Sequence, residues 1–260
     1  MFLLLEIISM ILIVSNNNFQ RVKFINSSNS IAGSFYSSYN SVSDYFSLRK
    51  ENEKLARENA MLRNQLQRYQ MAGAIAVQGT DSIGGQLFEY MSAKVISNSV
   101  NRQFNYITLD KGSIHGIKPD MGIICPDGVV GVITNVSPYF STALSLLNKR
   151  LSIPAKIKNS NFFGSLVWDG KSATSAELND IPFHVQLAEG DTVVTSGFST
   201  VFPEGIQIGT IKEFNTASGS NFYHIAVQLT TEFRSLNYVQ IITNKRRQEQ
   251  KQLESYNTYD

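Results

Sequence analysis

The chain has 260 residues, 42% of them hydrophobic and 17% charged, which supplies enough apolar side chain to bury a core and rules out wholesale disorder. Its formal charge of +2, from 23 Lys and Arg against 21 Asp and Glu, argues against a nucleic-acid binder that works by neutralising phosphates. The single cysteine, Cys125, excludes an intramolecular disulfide framework and a Cys-clustered zinc or iron–sulfur site, and His115, His184 and His224 lie too far apart for a local metal motif, so no metal or cofactor is expected.

Residues 1–20 read as a membrane anchor. From Phe2 to Val14 the chain is apolar except for Glu6 and Ser9, shorter than the ~20 residues of a spanning helix. No basic residue precedes the run, while Arg21 and Lys23 follow it, which is the reverse of the positive-inside pattern. Both discrepancies vanish if the natural reading frame extends upstream of Met1 with further apolar residues and Lys or Arg, which is the expectation. A cleaved signal peptide fits less well, because there is no basic start and no A-x-A-like site.

Residues 21–71 read as a juxtamembrane helix running into a coiled coil. From Ser34 to Ala72 there is neither Gly nor Pro. Leu48, Leu55 and Leu62 recur every seven residues; placing them at heptad position d puts Tyr45, Asn52, Asn59 and Leu66 at a, with Tyr69 as the next d. Glu58 at g precedes Arg63 at e by the spacing of interhelical ion pairs, and an Asn at a pairs best with its own copy, so the pattern predicts a parallel homodimer. A transcription-factor zipper is excluded, because no basic helix precedes it.

Gly73, Gly79, Gly84 and Gly85 mark 72–86 as a flexible hinge. Beyond it the pattern alternates, and turn signals such as Lys118-Pro119-Asp120, Asp127-Gly128 and Pro203-Glu204-Gly205 separate twelve predicted strands. These are Ala93 to Ser97, Asn105 to Asp110, Met121 to Cys125, Val129 to Val136, Thr142 to Leu147, Ile153 to Lys158, Phe163 to Trp168, Ser175 to Leu178, Thr192 to Ser196, Ile206 to Phe214, Phe222 to Thr230 and Tyr238 to Thr243. The number and spacing of the strands leave no room for βαβ crossovers and point to barrels or a sandwich, so the expected fold class is mainly β with an N-terminal coiled coil, and two small barrels is the preferred division. The first covers 87–158 and is completed by 230–243; the second covers 159–229; residues 244–260 are a charged flexible tail.

The anchor, zipper and hinge precede Asn105-Tyr-Ile-Thr-Leu-Asp-Lys-Gly112, Gly116-Ile-Lys-Pro-Asp-Met-Gly122, Asp127-Gly-Val-Val-Gly131 and Thr195-Ser-Gly-Phe-Ser-Thr-Val-Phe-Pro-Glu-Gly-Ile-Gln-Ile-Gly209. In this order they resemble the MreC family of bacterial rod-shape-determining proteins across nearly the whole chain. The resemblance implies two six-stranded barrels, a single pass through the inner membrane with the bulk of the chain in the periplasm or outside the membrane, and dimerisation through the helix. It also implies a scaffold for lateral cell-wall synthesis alongside MreB, MreD, RodA and a class B penicillin-binding transpeptidase.

Two other classes compete. Paired six-stranded barrels are also the frame of trypsin-like proteases, but there is no Gly-Asp-Ser-Gly segment, and Ser196 reads as a strand-end residue; no catalytic residue is expected. A periplasmic adaptor of an export system also combines an anchor, a coiled coil and barrels, yet it needs a helical hairpin between two halves of a lipoyl-like domain, whereas here one helical run precedes every strand. For a binding scaffold the aromatics Phe162, Phe163, Trp168, Phe198, Phe202 and Tyr223 are the candidate partner contacts, because aromatics are enriched at interface hot spots.

Overall fold

Among the described residues, twelve strands close into two six-stranded barrels. A computed structural model describes residues 2–16, 50–69, 88–158, 162–216 and 221–256. It divides into two units, Met1–Lys54 and Leu55–Asp260.

In the first unit, α1 spans Phe2–Asn16. Among the described residues no helix is long and apolar enough to cross a membrane. A second helix, α2, covers 50–69 and crosses into the second unit. The expected juxtamembrane helix up to residue 49, with Tyr45 and Leu48, and the glycine-rich 72–86 lie outside the described residues.

Barrel 1 contains β1 (Phe88–Asn98), β2 (Phe104–Leu109), β3 (Gly122–Cys125), β4 (Gly128–Val136), β5 (Ser141–Asn148) and β12 (Tyr238–Asn244), in the order β1-β12-β3-β4-β5-β2. Barrel 2 contains β6 (Ser152–Ile157), β7 (Phe163–Val167), β8 (Ser175–Pro182), β9 (Thr192–Thr195), β10 (Gln207–Thr216) and β11 (Phe222–Leu229), in the order β10-β11-β8-β7-β6-β9. All strand pairs are antiparallel. The expected boundary at 159 therefore moves: Ser152–Ile157, assigned to barrel 1 from sequence, pairs with β7 and β9 and opens barrel 2. Its alternation puts Ile153, Ala155 and Ile157 in the core, a pattern that either barrel could have used.

The longest strands, β1 and β10, each carry a bulge, between Val95 and Ser97 and between Ile211 and Glu213. The added bend lets a single strand follow the wall of a small barrel. Gly131 serves closure more directly, since a Cβ there would stand 2.1 Å from the Leu144 carbonyl oxygen of the adjoining strand.

The barrels are joined by specific contacts. Phe202, in the β9–β10 loop, is buried with its ring over Gly122 of β3, where a Cβ would come within 2.6 Å of it. Thr230 Oγ1 donates toward the Asp127 carbonyl at 2.7 Å, and Thr231 Oγ1 donates to the Val129 carbonyl at 3.0 Å. Trp168 is also buried, its Nε1–H donating to the Ser172 carbonyl at 2.6 Å.

The C-terminal segment is not a free tail. After β12 it forms α3, Arg247–Tyr256, and Arg247 and Lys251 both donate to Asp120 Oδ2, Lys251 at 2.8 Å. A run of charges reads as solvated until its counter-charge is known, and Asp120 lies far back in the chain.

Candidate functional site

Two surfaces stand out as places for a partner, one on α2 and one on barrel 2. On α2 the zipper positions within the described residues, Asn52, Leu55, Asn59, Leu62, Leu66 and Tyr69, are all exposed. Within the second unit, Leu55, Asn59, Leu62, Leu66 and Tyr69 form a stripe that its other described residues leave uncovered. Asn59 Nδ2 donates to the Leu55 carbonyl at 3.0 Å, one turn back along the same stripe. The buried position of this helix is Ala60, on a different face.

Barrel 2 gathers aromatics at one end for a topological reason. Since β8 pairs antiparallel with both β7 and β11, the start of β7, the end of β8 and the start of β11 meet, with Phe222 opposite Pro182. Phe162 and Phe163 precede and open β7, Phe183 and His184 follow β8, and Phe222 opens β11. Phe163 stacks at a tilt on Phe198, centroids 4.7 Å apart. His184 meets Phe162 edge-on at 5.4 Å and Phe183 at 6.2 Å. The five phenylalanines remain exposed, from 39% for Phe162 to 69% for Phe198. Rings held by one another and by strand ends can cover a partner's apolar surface with little further loss of side-chain freedom.

Of the six aromatics named from sequence, three belong to this edge: Phe162, Phe163 and Phe198. Trp168 and Phe202 do not, being core at 4% and 2% exposure. Tyr223 is half-buried and packs edge-on against Phe214 at 5.4 Å. Phe183 and His184 are not legible from sequence because β8 is expected to end at Leu178, whereas it runs on to Pro182 and delivers them to the edge; Phe222 opens β11 where expected, but only the pairing with Pro182 brings it there.

The polar groups serve structure. His115 Nδ1 accepts the Gly112 N–H at 3.2 Å, and Ser196 is buried with its Oγ accepting the Phe198 N–H at 3.3 Å. Among the described residues no group of three His, Cys, Asp or Glu could hold a metal ion. A cavity of about 470 Å³ beside α3 is lined by Lys118, Lys245, Arg247 and Lys251 around Asp120. Two of these cations are already engaged by Asp120, whose carboxyl is held below its ordinary value, first by the Lys251 hydrogen bond and then, against partial burial, by Arg247. Arg247 also donates to the Pro119 carbonyl at 2.8 Å and toward Thr200 Oγ1 at 3.3 Å. The cluster fastens α3 to barrel 1.

Residues 95–243 match the family model described as rod shape-determining protein MreC, barrel core. The cell shape-determining protein MreC of Listeria monocytogenes is 30% identical over 63% of this chain and 56% of its own length, and that of Escherichia coli is 24% identical over 58% and 41%. The chain thus spans about half the length of these curated relatives. Among solved structures, MreC of Listeria monocytogenes superposes with a TM-score of 0.59 at 27% identity, covering 76% of this chain and 94% of that one. The MreC crystal structure from Pseudomonas aeruginosa gives 0.55 at 25% identity, covering 59% and 98%. With the family match extending over more than half the residues, the chain belongs to the MreC family of cell shape-determining proteins.

Proposed function

We propose that this protein is a non-enzymatic, membrane-anchored scaffold of the cell-wall elongation machinery, acting on the extracytoplasmic side. In this reading it pairs with a second copy through the stripe Asn52, Leu55, Asn59, Leu62, Leu66 and Tyr69, extended by Tyr45 and Leu48. The exposed phenylalanine edge of barrel 2 binds a peptidoglycan synthase of the class B penicillin-binding type, and MreB, MreD and RodA are further partners by family resemblance. The observation that carries the reading is that edge: five exposed phenylalanines held at one end of a closed barrel, in a family named for cell shape.

No chemistry of its own is required. A partner that binds the active conformation of a transpeptidase better than the inactive one shifts the population by that difference in affinity. Two linked copies raise the effective concentration for the second contact.

The test is binding of the full chain, in lipid nanodiscs, to a purified class B transpeptidase. Phe163→Ala with Phe198→Ala is expected to weaken it by roughly tenfold or more, as loss of hot-spot aromatics does, while the thermal melt of barrel 2 is unchanged. Unchanged affinity in a folded double variant removes this surface from the reading.

A further inference from the structure

β1 is longer than the strand beside it. Its pairing with β2 begins at Val95, so on that side Phe88 to Lys94 has no neighbouring strand among the described residues, while its other side is paired with β12 throughout. Such an edge presents backbone N–H and C=O groups that need partners. At Lys94 the partner is Asp110, whose carboxylate accepts the Lys94 N–H at 2.8 Å and whose own N–H donates to the Lys94 carbonyl at 3.1 Å. At Tyr90 the partner is a side chain of α2. Asn64 Oδ1 accepts the Tyr90 N–H at 2.9 Å, and Asn64 Nδ2 donates to the Tyr90 carbonyl at 2.9 Å. A carboxamide carries the same donor and acceptor as a peptide group, so Asn64 occupies the place of one residue of an absent strand.

The neighbouring contacts agree. Arg63 lies with its guanidinium carbon 5.9 Å from the centroid of the Tyr90 ring. The Gln67 amide nitrogen is 3.4 Å from the Tyr90 hydroxyl, and Gln67 Oε1 is buried with no partner among the described residues. Turning that amide end for end gives the oxygen the phenolic proton. Together with buried Ala60, these residues fall at i, i+3, i+4 and i+7 on one face, distinct from the exposed zipper stripe.

We propose that Asn64 is a latch that fixes the position and direction of the 55–69 part of α2 on barrel 1. Apolar packing would allow sliding, but a paired donor and acceptor does not. A shift of one residue along β1 brings groups that point to the other side. The latch needs no second copy. Only one consequence rests on the proposed dimer: if the zippers pair, Asn64 also sets how the two first barrels face.

The experiment is a spin-label distance measurement on the full chain in nanodiscs, carrying Cys125→Ser, with labels at Met61→Cys and Tyr139→Cys, both exposed sites, diluted in excess unlabelled chain. With Asn64 intact one narrow distance is expected. Asn64→Leu, which has similar size but neither donor nor acceptor, is expected to lower the docked-to-free ratio by roughly tenfold and broaden the distribution. Asn64→Asp is expected to broaden it at neutral pH, where a carboxylate faces the Tyr90 carbonyl. Acidification through the carboxyl range, about pH 4, should narrow it again, because the protonated acid regains a donor. This pH series decides the matter even if Asn64→Leu perturbs folding. A broad distance with Asn64 intact, or narrow distances at neutral pH in folded Asn64→Leu and Asn64→Asp, overturns the latch. A narrow distance in a chain that stays monomeric supports the latch and removes the zipper; a broad one in a dimer does the reverse.

Discussion

Cys125 shows how one side chain is tuned by its surroundings. Burial is the largest influence on its thiol and pushes it above the usual value of 9.0. Thr231 spends its proton on the Val129 carbonyl, so its oxygen is left to accept from the thiol 3.7 Å away. A thiol kept protonated and covered is a poor nucleophile. Cys125 in the folded protein is therefore expected to resist maleimide at neutral pH and to react only with the midpoint of urea unfolding. Gly131 gives a second prediction at this scale: Gly131→Ala must displace the Leu144 carbonyl, at a cost of about 1–3 kcal/mol for overpacking, read as a lower urea midpoint. The aromatic candidates were partly legible at the same resolution. Counting by twos from the buried Leu166 puts Trp168 inside and Phe163 outside, so strand parity separates them where residue type alone does not. Phe202 sits in a loop, where parity does not apply, and its burial depends on Gly122 in the other barrel.

Elements were the most readable level, because each strand announces itself by alternation and by the turn residues at its ends. All twelve expected strands are present, the largest departures being β1, which starts at Phe88, and β8, which ends at Pro182. Which barrel a strand joins is not written in its own residues, and β6 was misplaced for that reason. The same holds for α3, whose charges become intelligible only beside Asp120. That residue sits at φ 63° in the Lys118-Pro119-Asp120 turn, a conformation in which Asp and Asn are the favoured non-glycine residues. Because the Asp120 carboxyl is depressed below 3.8 by Lys251 and Arg247, its contribution is complete above that value. It is lost as pH falls through the lowered one. Hydrogen exchange should accordingly show α3 losing protection in acid before either barrel does. At neutral pH, Asp120→Asn keeps the turn and removes the charge. It is expected to expose Arg247 and Lys251 to trypsin while changing barrel stability by no more than about 0.5 kcal/mol.

At the scale of the whole molecule, barrel 2 is an insertion within barrel 1, entering after β5 and leaving before β12. Strand β12 lies between β1 and β3, so barrel 1 cannot close until the last strand has arrived. Barrel 2 has all six of its strands before that point. The sole tryptophan, Trp168, reports on barrel 2, and the sole cysteine, Cys125, on barrel 1. A chain stopped after Ser235 is expected to give native Trp168 emission while its Cys125 reacts with maleimide; a protected Cys125 in that chain would show that five strands suffice. On the ribosome this order becomes a completeness check. A chain released before β12 has a finished barrel 2 at most, and it carries the open edges of β1 and β3, which attract quality-control proteases and aggregation. Only a chain translated through β12 hides those edges, so a closed first barrel reports that translation has passed Asn244.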